Sequence, residues 1–247
     1  MARTETGWRL TEQHRGRQIG LRAATVQDLN RLLPVWDPGD ARSFDRFASA
    51  TTTLVRSRRR ESAGLAGSYY EAFRTAEDVG GQPTLRLAED ADPTVVRRSL
   101  RVTGEGQVAA SMRAGHSPQA ARMNAHVALA GSISRHVLNG GRETLIGSAQ
   151  ADRQARGWQR VTSGDPCAFC VMLSSRGPVF KQDTADFQPH DHCACTPEPV
   201  YRGGEWNRQN SAHRGQWEAA QRQARDAGEL QRGTSNDALN ALRRYIS

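Results

Sequence analysis

All four cysteines of this 247-residue chain fall within one stretch of its last third. CAFC holds Cys167 and Cys170, and HDHCAC follows after a gap with His190, Cys193 and Cys195. Thiolate sulfur and imidazole nitrogen are ligands of Zn²⁺, which takes four of them in a tetrahedron. The N-terminal MARTETGWRL has no apolar secretion signal, so we expect a reducing compartment. There, clustered cysteines bind a metal rather than pair as disulfides.

The second half of the predicted zinc site leaves several choices open. CxxC directs two sulfurs to one side of a tight turn, and the remaining ligands must come from His190, His192, Cys193 and Cys195. His192 is expected either to hydrogen-bond to a ligand or to be a surface side chain, without binding the ion itself. A metal would also solve a folding problem. About 45 residues with few apolar side chains cannot form a core alone, and metal binding supplies folding free energy.

Several enzyme classes share parts of this cysteine pattern. DPCAFC is half of the zinc deaminase signature, but no histidine is followed two residues later by the glutamate that moves the proton in that reaction. HDH resembles a nuclease motif of the HNH type, but CxC stands where such a fold has a second CxxC. The serine nucleophile motif GxSxG is absent from the sequence. A cysteine–histidine nucleophile is the third alternative, and metal capture explains the clustered thiols more simply.

The remainder of the chain has the pattern of long helices separated by proline and glycine. The predicted helices cover, in order, about 26–33, 44–79, 93–113, 118–138 and 142–156. Asp92-Pro93 and Ser117-Pro118 are start signals, and Asn139-Gly140-Gly141 is expected to interrupt a helix. Further along the chain we expect strands at 158–161 and 177–180, a helix over 205–230 and a linker over 231–237.

The predicted fold is mostly α. An elongated helical N-terminal region over 1–156 precedes a small zinc-stapled α+β module over 157–204 and a polar helical tail over 205–247. Hydrophobic residues make up 37% of the chain and aromatic residues 6%, which favours helices that expose much of their surface. No apolar run approaches the roughly 18 residues that a membrane-spanning helix needs, so no contact with a membrane is predicted.

The chain has a net charge of +8, and Lys181 is the only lysine among its 34 basic residues. This bias, together with abundant alanine and glycine, is typical of a GC-rich genome. The densest basic cluster consists of Arg56, Arg58, Arg59 and Arg60. A solvated helix face explains it most simply, and contact with the phosphates of packaged double-stranded DNA is the alternative. No aromatic residues alternate with these arginines, so a base-stacking platform is not expected.

Two blocks of sequence carry a family resemblance. RVTSGDPCAFCVMLSSRGPVF and FQPHDHCACTPEPV combine a basic-aromatic lead-in, CxxC, an apolar pair, a glycine turn and a histidine three residues before CxC. Over about 157–200 this pattern resembles the C-terminal module of MuF-like phage head morphogenesis proteins, which are minor capsid proteins of tailed phages. The N-terminal region is similar in general character to actinobacterial phage members, through Tyr69-Tyr70 and the FR that follows.

The resemblance implies a structural virion protein rather than an enzyme. We expect a role in head assembly at the portal or inner capsid, with the portal protein, the major capsid protein or both as partners. Such a protein works in the host cytoplasm during assembly and then stays in the virion, where it could help organise or eject DNA. The family pattern implies zinc ligands among Cys167, Cys170, His190, Cys193 and Cys195. Many members of the family are labelled capsid maturation protease. A protease of that kind is therefore one alternative function, and a metal-dependent nuclease is the other.

Overall fold

A computed structural model of the chain describes residues 4–162, 164–178, 187, 189–201, 206–230 and 235–246. As predicted, the fold is mostly helical with one small antiparallel sheet. The helices are α1 (Glu5–Leu32), α2 (Ala41–Ala76), α3 (Pro93–Arg101), α4 (Gln107–Arg113), α5 (Pro118–Ala151), α6 (Ala168–Ser174), α7 (Arg208–Asp226) and α8 (Ser235–Ile246). The strands are β1 (Ala155–Val161) and β2 (Thr196–Tyr201). Within the described ranges, none of the helices has the length and apolar character needed to cross a membrane.

Side-chain caps start α3 and α5 where the sequence signals them. Asp92 and Ser117 each accept a backbone N–H of the first turn, and a proline follows each cap. α2 begins earlier than predicted because Asp40 is its cap, accepting the Arg42 N–H at 2.9 Å. The stretch predicted as one helix over 93–113 contains a π-helical turn, Val102–Gly106, between α3 and α4.

The prediction for α1 misses most of the helix, since it begins at Glu5 instead of about residue 26. One side of α1 is buried, but its buried residues are mainly polar or small. They recur every three or four positions and are Gly7, Thr11, His14, Gln18, Leu21, Thr25 and Leu29. Gln18 illustrates how this face packs, because its side chain exchanges hydrogen bonds with Ser62 of α2, at 3.1 Å to the carbonyl and 2.8 Å from the hydroxyl. Hydrogen bonds therefore replace apolar contacts along part of this seam.

The predicted interruption at Gly140-Gly141 is also wrong, because α5 runs unbroken from Pro118 to Ala151. The glycines instead allow α5 to cross α2 closely. A Cβ at Gly140 would lie 2.3 Å from the carbonyl oxygen of Arg59. The Gly141 N–H donates to the hydroxyl of Ser62 at 2.9 Å. The two helices can therefore approach this closely only because Gly140 and Gly141 have no side chains.

Two apolar clusters hold α1–α5 together. One joins α1, α2, α3 and α5 and includes Leu29, Phe47, Leu100, Leu129 and Ile133, all almost fully buried. The other lies at the opposite end of α2 and brings Tyr70, Phe73 and Leu145 against Ala155 and Tyr201 of the sheet. The strands therefore pack directly on the helices.

β1 confirms the predicted strand over 158–161 and pairs with β2, with Trp158 opposite Pro199 and Arg160 opposite Pro197. β2 was not predicted. Gly177 and Pro178 of the second predicted strand lie outside any strand, while 179–180 fall outside the described residues. Residues 231–234 of the predicted linker likewise fall outside them, and 235–237 begin α8. The predicted boundary after 156 lies within β1, and the division into three regions stays a prediction.

α7 and α8 pack on α6. Ala168 and Val171 of α6 share a buried cluster with Ala220 of α7 and Leu242 of α8. This cluster holds α6 against α7 and α8, so the C-terminal helices support the element that carries CxxC.

Candidate metal centre

The first pair of candidate ligands sits at the start of α6. Cys167 occupies the N-cap position and Cys170 the first turn, so residues three apart direct their side chains to one side of the helix. Cys167 is exposed and Cys170 is buried. The sequence predicted a tight turn at CAFC, and the structure gives that turn as the beginning of a short helix.

The second group of ligands comes from the turn that leads into β2. The Cys193 N–H donates to the carbonyl of His190 at 3.2 Å, which closes the turn. His192 has the left-handed φ of 66° that the turn requires. The Nδ1 atom of His190 lies 2.6 Å from the carbonyl oxygen of Asp191. A carbonyl can only accept, so Nδ1 carries the proton and the Nε2 lone pair faces the sulfurs.

The two groups meet as two overlapping sets of three ligands. Cys167, Cys170 and His190 form one set, and Cys170, Cys193 and Cys195 form the other, with the ligand atoms of each set within 4.8 Å of one another. The His190 Nε2 atom lies 3.0 Å from the Cys167 sulfur and 3.3 Å from the Cys170 sulfur. Cys170 thus belongs to both sets and links them.

The spacing of the two buried sulfurs agrees with metal coordination. The sulfurs of Cys170 and Cys193 are 3.8 Å apart. A tetrahedral zinc with Zn–S bonds of about 2.3 Å sets its sulfurs about 3.8 Å apart, whereas a disulfide requires about 2.05 Å. All four cysteines are free thiols. The donor set and its spacing therefore fit a soft metal ion such as Zn²⁺.

Interactions among the thiols differentiate their acidity. Hydrogen bonding from Cys170 lowers the pKa of the Cys167 thiol to about 5. Hydrogen bonds from Cys170 and Cys195, with a further contribution from the Arg142 guanidinium, hold the pKa of Cys193 far below its usual range. Cys167 and Cys193 therefore favour the thiolate form, which is the form that binds metals, whereas hydrogen bonds with Cys167 and Cys193 raise the pKa of Cys170 well above its usual range.

His192 belongs to neither ligand set and is exposed, and it contacts α5 and α1. Its ring lies over Gly131 of α5, where an added Cβ would be 2.6 Å from Nε2. Its carbonyl accepts a hydrogen bond from Arg22 of α1 at 3.1 Å. The neighbouring Asp191 pairs with Arg135 of α5 at 2.7 Å. The ligand turn is thus fixed to α1 and α5.

Sequence reasoning missed one buried pair with the composition of a nucleophile and base. The Ser174 hydroxyl and Nδ1 of His213 lie 2.5 Å apart, joining α6 to α7. Ser174 has no exposed surface, and its hydroxyl also lies 3.2 Å from the carbonyl of Val171. A substrate would not reach a hydroxyl enclosed in this way, so we interpret the pair as a contact between helices. No spacing rule links residues 174 and 213, so the pair has no signature in the sequence.

The basic cluster on α2 is engaged within the protein. Arg56 and Arg60 both bind the carboxylate of Asp90, at 2.8 and 2.9 Å. Arg58 pairs with Asp28 at 2.7 Å. Arg59 is buried and bonds to Glu143 and to the carbonyls of residues 89 and 136. Each of the four guanidiniums has an internal partner, which reduces the positive charge that this face offers to a polyanion.

A family model described as VG15 protein matches residues 7–228. The chain belongs to the VG15 protein family. It is 31% identical over 130 residues to the Gene 15 protein of Mycobacterium phage D29, an alignment that covers 51% of this chain and 44% of that relative. The VG15 chain thus matches less than half the length of its phage relative. No solved structure matches it significantly.

Proposed function

We propose that this VG15 protein is a minor structural protein of a tailed-phage virion and acts in head assembly. The phage relative supports a phage origin, and the resemblance of 157–200 to MuF-like head morphogenesis proteins supports the narrower role. On this proposal the protein joins the assembling head in the host cytoplasm and remains at the portal vertex or inside the capsid. The portal protein, the major capsid protein or both are its partners.

We further propose that the cysteine cluster is a structural zinc site. The observation that carries this proposal is the pair of overlapping ligand sets, in which five ligand atoms from two distant segments converge through Cys170. Catalytic zinc keeps a position open for water or substrate, whereas five protein ligands are more than four positions can hold. Burial of Cys170, Cys193 and Cys195 further limits access of a substrate to the ion.

The helical region and the zinc module have different roles in this proposal. The helices over 1–156 provide the docking surface, and the zinc fixes the module over 157–204. Packaged DNA is a weaker partner than a capsid protein, because Arg56, Arg58, Arg59 and Arg60 are already ion-paired.

The composition of the virion tests the proposed role. Purified particles of the phage that encodes the chain should contain it in the head fraction after tails are removed, and it should co-purify with the portal protein from infected cells. Abundance in infected cells together with absence from particles would refute the virion role.

Incubation with substrates tests the enzymatic alternative. The purified protein should leave both double-stranded DNA and its own major capsid protein intact. Cleavage that is lost in His190→Ala, while zinc content and fold are retained, would establish a catalytic role in place of the structural one.

A further inference from the structure

Two arginines are buried beside the metal centre. Arg142 of α5 is 3% exposed and Arg160 of β1 is 1% exposed. Within the residues that the structure describes, no carboxylate lies within ion-pairing distance of either guanidinium. The buried arginines elsewhere in the fold do have such partners, since Arg74 binds Asp152 and Arg59 binds Glu143. A buried cation without a counter-charge is strongly disfavoured, so Arg142 and Arg160 require an anion nearby.

Both guanidiniums face the segment that carries the CxC ligands. Arg142 donates to the carbonyl of Cys193 at 2.6 Å and to the carbonyl of Cys195 at 3.1 Å. A terminal nitrogen of Arg160 lies 3.9 Å from the Cys193 sulfur. The ring of Phe187 lies against both, with its centre 3.7 Å from the Arg160 guanidinium and 5.0 Å from that of Arg142. Two positive charges thus lie next to Cys193 and the backbone of Cys195.

The charge of a thiolate metal site matches these arginines. Zn²⁺ bound by three or four thiolates has a net negative charge, whichever ligand set it takes. Such a centre is therefore an anion in the protein interior, and a nearby guanidinium both offsets its charge and donates hydrogen bonds to its ligands. Because Arg142 donates to the carbonyls of both Cys193 and Cys195, it also fixes the backbone on both sides of Ala194. That backbone sets the direction of the two cysteine side chains.

We propose that Arg142 and Arg160 are the cationic partners of the metal centre: they balance its thiolate charge, and Arg142 positions the CxC ligands. This inference rests on the proposed zinc site. It makes metal affinity a property of α5 and β1 as well as of the ligands. A site with neutral ligands would leave two buried guanidinium cations beside Zn²⁺. The two arginines therefore favour a site whose ligands are mainly thiolates.

Zinc affinity of the full-length protein tests the proposal. The variants are Arg160→Met and Arg142→Met, which remove the charge, and Arg160→Lys and Arg142→Lys, which retain it. The zinc Kd is measured by competition with a chromophoric chelator, and Co²⁺ substitution reports the coordination geometry through its visible absorption. The control is Arg74→Lys, at a buried arginine on α2 that contacts none of the ligands.

Each methionine variant should weaken zinc binding by about 10–100-fold, the range found when partners of metal ligands are removed. Arg160→Lys should restore most of the affinity, because it keeps the charge near the Cys193 sulfur. Arg142→Lys should restore less and should alter the Co²⁺ spectrum, because one ammonium does not reproduce the planar fork that bridges two carbonyls. Arg74→Lys should lower stability without changing the zinc Kd.

Unchanged zinc affinity in both methionine variants would overturn the proposal while leaving the zinc site intact. Equal losses in the lysine and methionine variants at position 160 would exclude the charge as the cause and overturn it as well. A wild-type protein that binds no zinc would overturn this inference and the zinc site together. If Arg160→Met does not fold, Arg160→Gln gives the same comparison with a neutral polar side chain.

Discussion

Replacing Gly140 with alanine should destabilise the protein, although alanine is the better helix former. The added Cβ would lie 2.3 Å from the carbonyl oxygen of Arg59, and that oxygen belongs to the backbone of α2. A flexible side chain could move aside, but here α2 and α5 must separate by about 1 Å to restore an ordinary van der Waals contact. Overpacking of this kind costs about 1–3 kcal/mol, and the gain in helix propensity returns about 0.5–1 kcal/mol. The net expectation is a loss of about 1–2 kcal/mol.

Gly64→Ala is the matched control. Gly64 lies in the interior of α2 and is exposed, and nothing stands within 4 Å of an added Cβ there. The same substitution should therefore stabilise the protein by about 0.5–1 kcal/mol. Thermal unfolding with zinc present measures both, and Gly140→Ala should lower Tm by about 2–8 °C in a chain of this size. A Gly140→Ala protein as stable as Gly64→Ala would refute the close helix crossing.

Three further predictions concern the ligands, pH and DNA. Cys170→Ser should abolish zinc binding more completely than Cys195→Ser, because Cys170 belongs to both ligand sets, and metal analysis of the two purified variants checks this. Burial lowers the pKa of His14 to about 3 from 6.5, so the unfolded chain binds the proton first and stability should fall as pH drops from 6.5 towards 3. In His14→Phe, the free energy of unfolding should depend less on pH, by at most about 1.4 kcal/mol per pH unit. Urea titrations of the variant and the wild type at matched pH measure this difference. The double variant Arg56→Gln, Arg60→Gln should bind double-stranded DNA with the same salt dependence as the wild type. If the slope of the logarithm of the binding constant against the logarithm of the salt concentration falls by about one per arginine, these residues contact phosphates.

The starts of α3 and α5 follow from local signals in the sequence. Asp92-Pro93 and Ser117-Pro118 mark helix starts through a side-chain cap and a preset φ, and both operate within a few residues. Apolar spacing likewise identified most of α2, because its buried side includes Phe44, Phe47, Val55 and Phe73.

Most of α1 was missed because the buried side of its N-terminal part is largely polar. Thr11, His14 and Gln18 have helical spacing, but hydrophobic periodicity does not register them. Their burial depends on partners far along the chain: the Thr11 hydroxyl donates to Glu198 of β2 at 2.7 Å, and Gln18 bonds to Ser62. Such contacts exist only in the folded protein, so a local pattern does not reveal them.

β2 was missed for a related reason. TPEPVY contains two prolines, which normally argue against a strand because proline lacks the N–H that a ladder requires. Pro197 and Pro199 are two residues apart, so both occupy equivalent positions in a two-stranded ribbon where every strand is an edge. Pairing with β1 then needs no hydrogen bond from either proline.

Composition and spacing located the cluster of cysteine and histidine residues, and the family resemblance narrowed it to Cys167, Cys170, His190, Cys193 and Cys195. Their arrangement was not predicted, because it depends on α6, on the turn at 190–193 and on the arginines of α5 and β1. Arg142 gave no signal in a chain with so many arginines, and only its burial beside Cys193 distinguishes it.

The metal content of the full-length protein, purified without added metal, tests the central claim most directly. Elemental analysis should find about one zinc per chain, and its removal by a chelator should unfold the region around CAFC and HDHCAC. That unfolding is followed by proteolysis and by the tryptophan fluorescence of the wild type compared with Trp158→Phe, because Trp158 packs in the same cluster as Cys170, Cys193 and Cys195. A protein that contains no stoichiometric zinc, and whose proteolysis and fluorescence are the same with and without chelator, would contradict the account.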